Sequence, residues 1–211
     1  MTTIVGIQGD GYAVVGCDTR ISSFDDSGFA YQISTLGASS SKIAQNGKYL
    51  LGAAGDMRAI NILHHVFQPP TPTPGLRGKK LDSFITVKFI PSLRACFESQ
   101  GYSAPDGKDN KDHIAEQGSS IVVVVNATIY IVDSDYSWVS ENHSMYSTGT
   151  GSAYALGALN TLMGGKKLTS AQARTTCLKA LNTAAKFDPY TGSPFQTFMQ
   201  EAPARTAKTD K

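Results

Sequence analysis

Three residues of this 211-residue chain could act on one another: Thr2, Asp18 and Lys42. A threonine hydroxyl is a poor nucleophile until a base takes its proton. At a chain terminus it can carry its own base. Once Met1 is removed, which a small second residue normally permits, Thr2 has a free α-amine. Such amines titrate near ~7.7–8.0, so a substantial neutral fraction exists at physiological pH. A nearby ammonium would depress that value further and help the hydroxyl lose its proton. Lys42 would supply the positive charge and Asp18 would hold it in place. Taken singly, Asp18 is more often a turn or cap residue and Lys42 more often a solvated strand end.

The elements that must position these residues are legible in the patterning. In "MTTIVGIQGDGYAVVGCDTR", Ile4, Val5 and Ile7 and then Tyr12 to Val15 read as paired buried strands around the turn "GDG". Thr2 therefore stands at the mouth of a core strand and Asp18 at the end of its partner. A polar, Ser- and Gly-rich segment runs from Ser22 to Ser41. "SKIAQNGKYLLGAAGD" is a second hairpin about "NG", with Lys42 at its start. "DMRAINILHHVF" places Met57, Ile60, Leu63 and Phe67 at helical spacing, and "QPPTPTPGLRGKK" must end that helix. A second helix is expected over "LDSFITVKFIPSLRACFESQ", capped by Asp82 or Ser83 and kinked or interrupted at Pro91.

"APDGKDNKDHIAEQG" reads as a charged loop and Ser119 to Asp133 as a hairpin. Short strands follow near Trp138 and from Ser144 to Ser147. Two helices come next, "GSAYALGALNTLM" and "TSAQARTTCLKALNTAAKF", the latter capped by Thr169 or Ser170. "SPFQTFMQE" is a last strand, and a flexible polar tail is expected over about 202–211. Strands, two helices, strands, two helices and a strand suit an α+β fold in one domain. Its layers would be αββα, two antiparallel sheets between helix layers.

Composition narrows the function classes. A net charge of +2 is too mild to argue for nucleic acid or an acidic membrane surface, and a 41% hydrophobic fraction suits a globular core. Three cysteines, Cys17, Cys96 and Cys177, share no metal-ligand spacing and read as reduced thiols of a cytoplasmic protein. Neither a signal segment nor an apolar run of membrane-spanning length is present in the sequence. His64 and His65 are adjacent, so they point to different faces of a helix and suit one metal poorly. No cofactor and no metal are expected.

Six motifs in one order carry a resemblance: threonine behind Met1, "VVGCDTR", "SKI", "LLGAAGD", "STGTGSAYALGAL" and "FDPYTG". Their order resembles that of the β-type subunits of the proteasome and their bacterial relative, the heat-shock-induced ATP-dependent threonine peptidase. It covers Thr2 to about Phe198. The resemblance implies an N-terminal-nucleophile (Ntn) hydrolase sandwich that cleaves peptide bonds through an acyl ester on Thr2. It matches Asp18 and Lys42 to the partners of that threonine, and Gly52 to the glycine whose N–H faces the developing oxyanion. Thr150 and Thr191 stand where the family usually has serine, and Asp188 matches the aspartate paired with them. Leu50 matches the floor of the first substrate pocket, with Ile21 and Ala54 on its walls, which favours an apolar residue before the scissile bond. Arg58 would complicate that pocket if it turned inward.

The implied partners are a peptide or unfolded protein substrate and further copies in a homo-oligomeric ring, with an ATPase unfoldase or other subunits as additional candidates. Ring contacts would fall on the helices after Asp56 and Leu81. The segment between Arg20 and Lys42 is longer than the family's, so Lys42 is assigned by motif rather than spacing. Two rival functions share the fold: a catalytically silent structural subunit, and an Ntn amidase acting on small amides.

Overall fold

The computed structural model describes residues 2–203 apart from 26, 28–29, 74, 104–115 and 142. Two antiparallel sheets stack face to face, each covered outside by helices. The first sheet has the order β10-β1-β2-β11, formed by β1 (Thr3–Gly9), β2 (Tyr12–Asp18), β10 (Met145–Gly149) and β11 (Phe195–Glu201). The second has the order β5-β6-β7-β8-β9, from β5 (Ile43–Asn46), β6 (Tyr49–Ala54), β7 (Ser120–Val125), β8 (Thr128–Val132) and β9 (Trp138–Val139).

Alternation along the strands sorts three cores. Leu50, Val122, Val124, Ile129 and Ile131 face Ile4, Ala13, Val15 and Cys17 between the sheets. Tyr49, Leu51, Ala53, Val123 and Val125 face the other way, onto α1 (Met57–His65), α2 (Lys79–Phe84) and α3 (Ile90–Ser99). Val5, Ile7 and Val14 face α4 (Ser152–Met163) and α5 (Ser170–Phe187). The layers are therefore helix, sheet, sheet, helix, the expected sandwich.

Local chemistry sets the ends of these elements. The Asp56 side chain accepts the Arg58 N–H and starts α1, whose buried face is Ala59, Ile60, Ile62 and Leu63. Thr169 and Gln172 form a reciprocal capping box at the start of α5. One expectation needs correction. The second helix starts at Lys79 behind Gly78, with no side-chain cap, because Leu81 has to be buried at 0 % exposure; Asp82 instead accepts the Tyr130 hydroxyl at 2.8 Å. The α-helix is interrupted just before Pro91, as expected. A π-helical turn, Ile85–Phe89, precedes it, with the Ile90 N–H bonding five residues back to the Ile85 carbonyl. The polar segment after Ser22 is paired: β3 (Arg20–Phe24) and β4 (Ala30–Thr35) make a two-stranded ribbon.

Most of the charged loop and of the C-terminal tail lies outside the described residues, although the Ala202 N–H still bonds to the Gly11 carbonyl at 2.8 Å. Among the described residues no helix is long and apolar enough to cross a membrane.

All three cysteines are free thiols. Burial at 0 % exposure pushes Cys17 up to about 11 and Cys177 up to about 12, whereas Cys96 is only partly buried. Alkylation of the native chain should therefore label Cys96, with Cys17 and Cys177 reacting only after unfolding. Native-rate labelling of Cys17 would contradict this packing.

Candidate active site

The strand ends β1, β2, β5 and β10 and the loop after α5 meet at one end of the sandwich, around Thr2. That residue is 2 % exposed in the chain carrying Met1. Its carbonyl accepts the Thr150 N–H at 2.9 Å, and the next residue, Thr3, pairs with Gly149 of β10. Gly149 has φ +94°, and a Cβ there would lie 1.8 Å from the Thr2 carbonyl oxygen. Only glycine lets β10 approach so closely. Gly149→Ala should therefore lose at least about 2 kcal/mol in urea unfolding, from strain and clash together. Gly47→Ala, at φ +58° with nothing within 4 Å, is the control that meets strain alone. Equal losses in the two would remove the argument from close approach.

Asp18 and Lys42, 24 positions apart in sequence, form an ion pair of 2.8 Å with both side chains buried. The same carboxylate oxygen, Oδ1, also accepts the Thr3 N–H at 2.9 Å. Its other oxygen accepts the Arg20 N–H at 3.1 Å and the Gly192 N–H at 3.2 Å. Lys42 Nζ additionally donates to the Arg20 carbonyl at 2.6 Å. Burial pulls the Lys42 ammonium below its ordinary value, and the Asp18 carboxylate opposes that shift. A lysine eased toward losing its proton thus sits one hydrogen-bonded carboxylate away from the backbone that carries Thr2.

A second cluster lies on the other side of the same strand end. Thr150 Oγ1 donates to Asp188 Oδ2 at 2.8 Å, and Thr191 Oγ1 donates to the same oxygen at 2.5 Å. Asp188 Oδ1 accepts the Tyr190 N–H at 3.2 Å. Asp188 and Thr191 are buried, whereas Thr150 is exposed. Both threonine hydroxyls are thus committed to the one Asp188 oxygen.

β6 supplies the third side. Leu50, Gly52 and Ala54 alternate onto its inter-sheet face, and Gly52 pairs with Ile43, the residue after Lys42. A Cβ on Gly52 would meet the Lys42 carbonyl oxygen at 2.8 Å, so the glycine lies directly against the lysine's backbone. Ala54 reaches the mouth of the site, 3.3 Å from where a Gly149 Cβ would be. Leu50 is deeper, 5 % exposed in the inter-sheet core. Ile21 lines a cleft of about 280 Å³ with Arg20, Ser22, Ser23, Gly55 and Asp56, the last two following Ala54 in the chain. The Arg58 guanidinium turns away, onto the Gln100 carbonyl. His64 Nε2 is bonded to the Leu51 carbonyl at 3.1 Å and is a structural side chain.

The structure adds residues that motif reading passed over. Thr3 was hidden because a threonine in a strand looks like an ordinary β-former. Arg20 lies over Gly192, where a Cβ would come within 2.3 Å of its Nε, and it donates from Nη1 to the Pro189 carbonyl at 2.6 Å.

No family model matches the sequence, and no curated protein matches it. Solved structures do match its fold. BPH from Thiobacillus denitrificans in complex with epoxomicin superposes with a TM-score of 0.70 at 19% identity, over 96% of this chain and 100% of that one. A second structure of Thiobacillus denitrificans BPH gives 0.69 at 19% identity, over 94% and 97%. Eukaryotic HslV from Trypanosoma brucei gives 0.60 at 14% identity, over 94% and 99%. The chain thus shares the four-layer αββα sandwich of these BPH and HslV structures.

Proposed function

Starting from that shared sandwich, we propose that the chain is a threonine-type endopeptidase that works through Thr2 once its amine has been released by removal of Met1. The observation that carries this reading is the shared Asp18 Oδ1. One buried carboxylate oxygen holds both Lys42 Nζ, at 2.8 Å, and the N–H of the residue bonded to Thr2, at 2.9 Å. A nucleophile, its own amine and a lysine are then fixed relative to one another by strand geometry rather than by a mobile terminus.

In the proposed reaction the Thr2 hydroxyl attacks the scissile carbonyl and its proton passes to the α-amine. The Lys42 ammonium stabilises the forming alkoxide and keeps the amine neutral at working pH. The Gly52 N–H is the proposed donor to the oxyanion, a role typically worth about 3–4 kcal/mol. Thr150 has committed its hydroxyl proton to Asp188, so its oxygen is left to accept an N–H of the amine and orient it. The amine then returns the proton to the leaving group, and an acyl ester remains on Thr2. Water, deprotonated by the same amine, releases the product acid.

Leu50 and Ala54, with Ile21 at the rim, form the proposed first substrate pocket. An apolar lining favours leucine or tyrosine before the cleaved bond, since a charged side chain would be desolvated without a partner. The natural setting proposed is a cytoplasmic, homo-oligomeric ring that encloses the site, fed with unfolded protein by an ATPase.

Fluorogenic peptides ending in Leu, Tyr, Arg or Glu test both parts on the Met1-free protein. Cleavage after Leu and Tyr is expected, and preference for Arg would overturn the pocket. Hydrolysis of small amides alone would indicate an amidase of the same fold. The 2 % exposure of Thr2 in the full chain favours one other reading: while Met1 stays attached, the protein is a silent shell subunit.

A further inference from the structure

Thr3 is fully buried in a strand position where valine would have the same shape. A buried hydroxyl is costly unless bonded, so its presence there calls for partners. It has two. Thr3 Oγ1 accepts the Gly151 N–H at 3.0 Å and lies 2.5 Å from Thr191 Oγ1. The direction of the second bond follows from counting protons. An ionised Asp188 only accepts, so the single Thr191 proton goes to the carboxylate. The Thr3 proton must therefore go to Thr191, and its lone pair to Gly151. The result is a one-way chain: Gly151 N–H to Thr3, Thr3 to Thr191, Thr191 to Asp188.

Gly151 is the cradle of this chain. A Cβ there would lie 2.4 Å from Thr3 Oγ1, 2.7 Å from Thr191 Oγ1 and 3.0 Å from Asp188 Oδ2, so all three converge on the space its missing side chain leaves. Meanwhile the Thr3 backbone N–H reaches Asp18 Oδ1, the oxygen that also holds Lys42. Thr3 thus reaches both buried carboxylates, Asp18 directly through its backbone N–H and Asp188 by way of the Thr191 hydroxyl.

We propose that Thr3 is a positioning residue, which couples the Asp188–Thr191 relay to the Asp18–Lys42 pair and so fixes the peptide carrying Thr2. Its role in turnover rests on Thr2 being the nucleophile. Small displacements of a reacting group cost rate far more than they cost binding, and a shift near 1 Å removes about 10²-fold.

The test compares Thr3→Val, which deletes only the hydroxyl, with Thr3→Ser, which keeps it, in Met1-free protein. Thr3→Val should lower kcat by roughly 10–100-fold with KM nearly unchanged, and Thr3→Ser should restore most of it. Thr191→Val should add little to Thr3→Val, because the relay is already cut. Thr191→Val gives a second cut of the same chain should Thr3→Val fold poorly. Hydrogen exchange at the Gly151 amide is the readout that does not need peptidase activity. It should accelerate in Thr3→Val and stay slow in Thr3→Ser. A wild-type protein without activity would remove the peptidase reading and leave the exchange comparison standing. Unchanged Gly151 exchange in Thr3→Val, full kcat in that variant, or additive losses with Thr191→Val would each overturn the proposal.

Discussion

Thr2→Ala should fold like the wild type and lose peptide hydrolysis by on the order of 10⁴–10⁶-fold, the scale seen when a covalent nucleophile is removed. The two halves of this expectation have separate causes. The fold holds Thr2 through its backbone: its carbonyl takes the Thr150 N–H, and the following residue enters the β1–β10 pairing. Alanine keeps all of that. The hydroxyl, by contrast, is the proposed attacking group, and nothing nearby replaces it. Thr191 is turned into Asp188, and Thr150 has its proton on the same carboxylate. Thr2→Ser should retain activity, since the nucleophile and its amine both remain. Thermal unfolding with kcat/KM on the same samples checks both halves, and more than about a tenth of wild-type activity in Thr2→Ala would rule out the acyl ester.

The Asp18–Lys42 pair should respond asymmetrically to loss of either partner. Asp18→Ala withdraws the carboxylate from a buried ammonium and also strips the acceptor from the N–H groups of Thr3, Arg20 and Gly192. Removing one member of a buried pair costs about 3–5 kcal/mol, and this variant belongs at the upper end. Lys42→Met keeps the shape of the side chain and leaves Asp18 with those three backbone donors, so its loss should be smaller. Activity should not follow stability. Lys42→Met should cost on the order of 10²–10³-fold in kcat, because the charge that stabilises the alkoxide is gone. Urea midpoints and turnover together test this. A Lys42→Met protein less stable than Asp18→Ala, or one with wild-type kcat, would contradict the assigned roles.

Much of the architecture could be read from short-range patterning. The "NG" at Asn46–Gly47 closes the β5–β6 hairpin, and the alternation in "SSIVVVVNATIYIVD" becomes β7 and β8, joined through Asn126 and Ala127 at positive φ. The capping box at Thr169 was similarly local. What escaped depended on distant partners. Lys79 starts a helix because Leu81 packs under the second sheet, a contact no cap signal reports. The interruption expected at Pro91 takes the form of a π-helical turn, Ile85–Phe89, and that form has no mark in the sequence. In the β3–β4 ribbon Ile21 and Ile33 fall on opposite faces among polar residues, so no one-sided apolar period marks it.

The site shows the same division. Asp18 and Lys42 were named by motif, and the fold brings them to 2.8 Å. Asp188, Thr150 and Thr191 likewise converge on a shared oxygen. Thr3 was invisible, since a hydroxyl at the start of a strand acquires meaning only when a loop from position 191 is seen beside it. Leu50 shares the face of β6 that carries Gly52, and its depth in the inter-sheet core is a matter of three dimensions.

The central claim is that a free amine on Thr2 makes this chain a peptidase, and one paired measurement addresses it: intact mass with N-terminal sequencing, and peptide turnover on the same sample. The expected result is a mass short by one methionine, a sequence starting at Thr2, and turnover that rises with the fraction so processed. Turnover in protein that keeps Met1, or none in protein that has lost it, would contradict the claim.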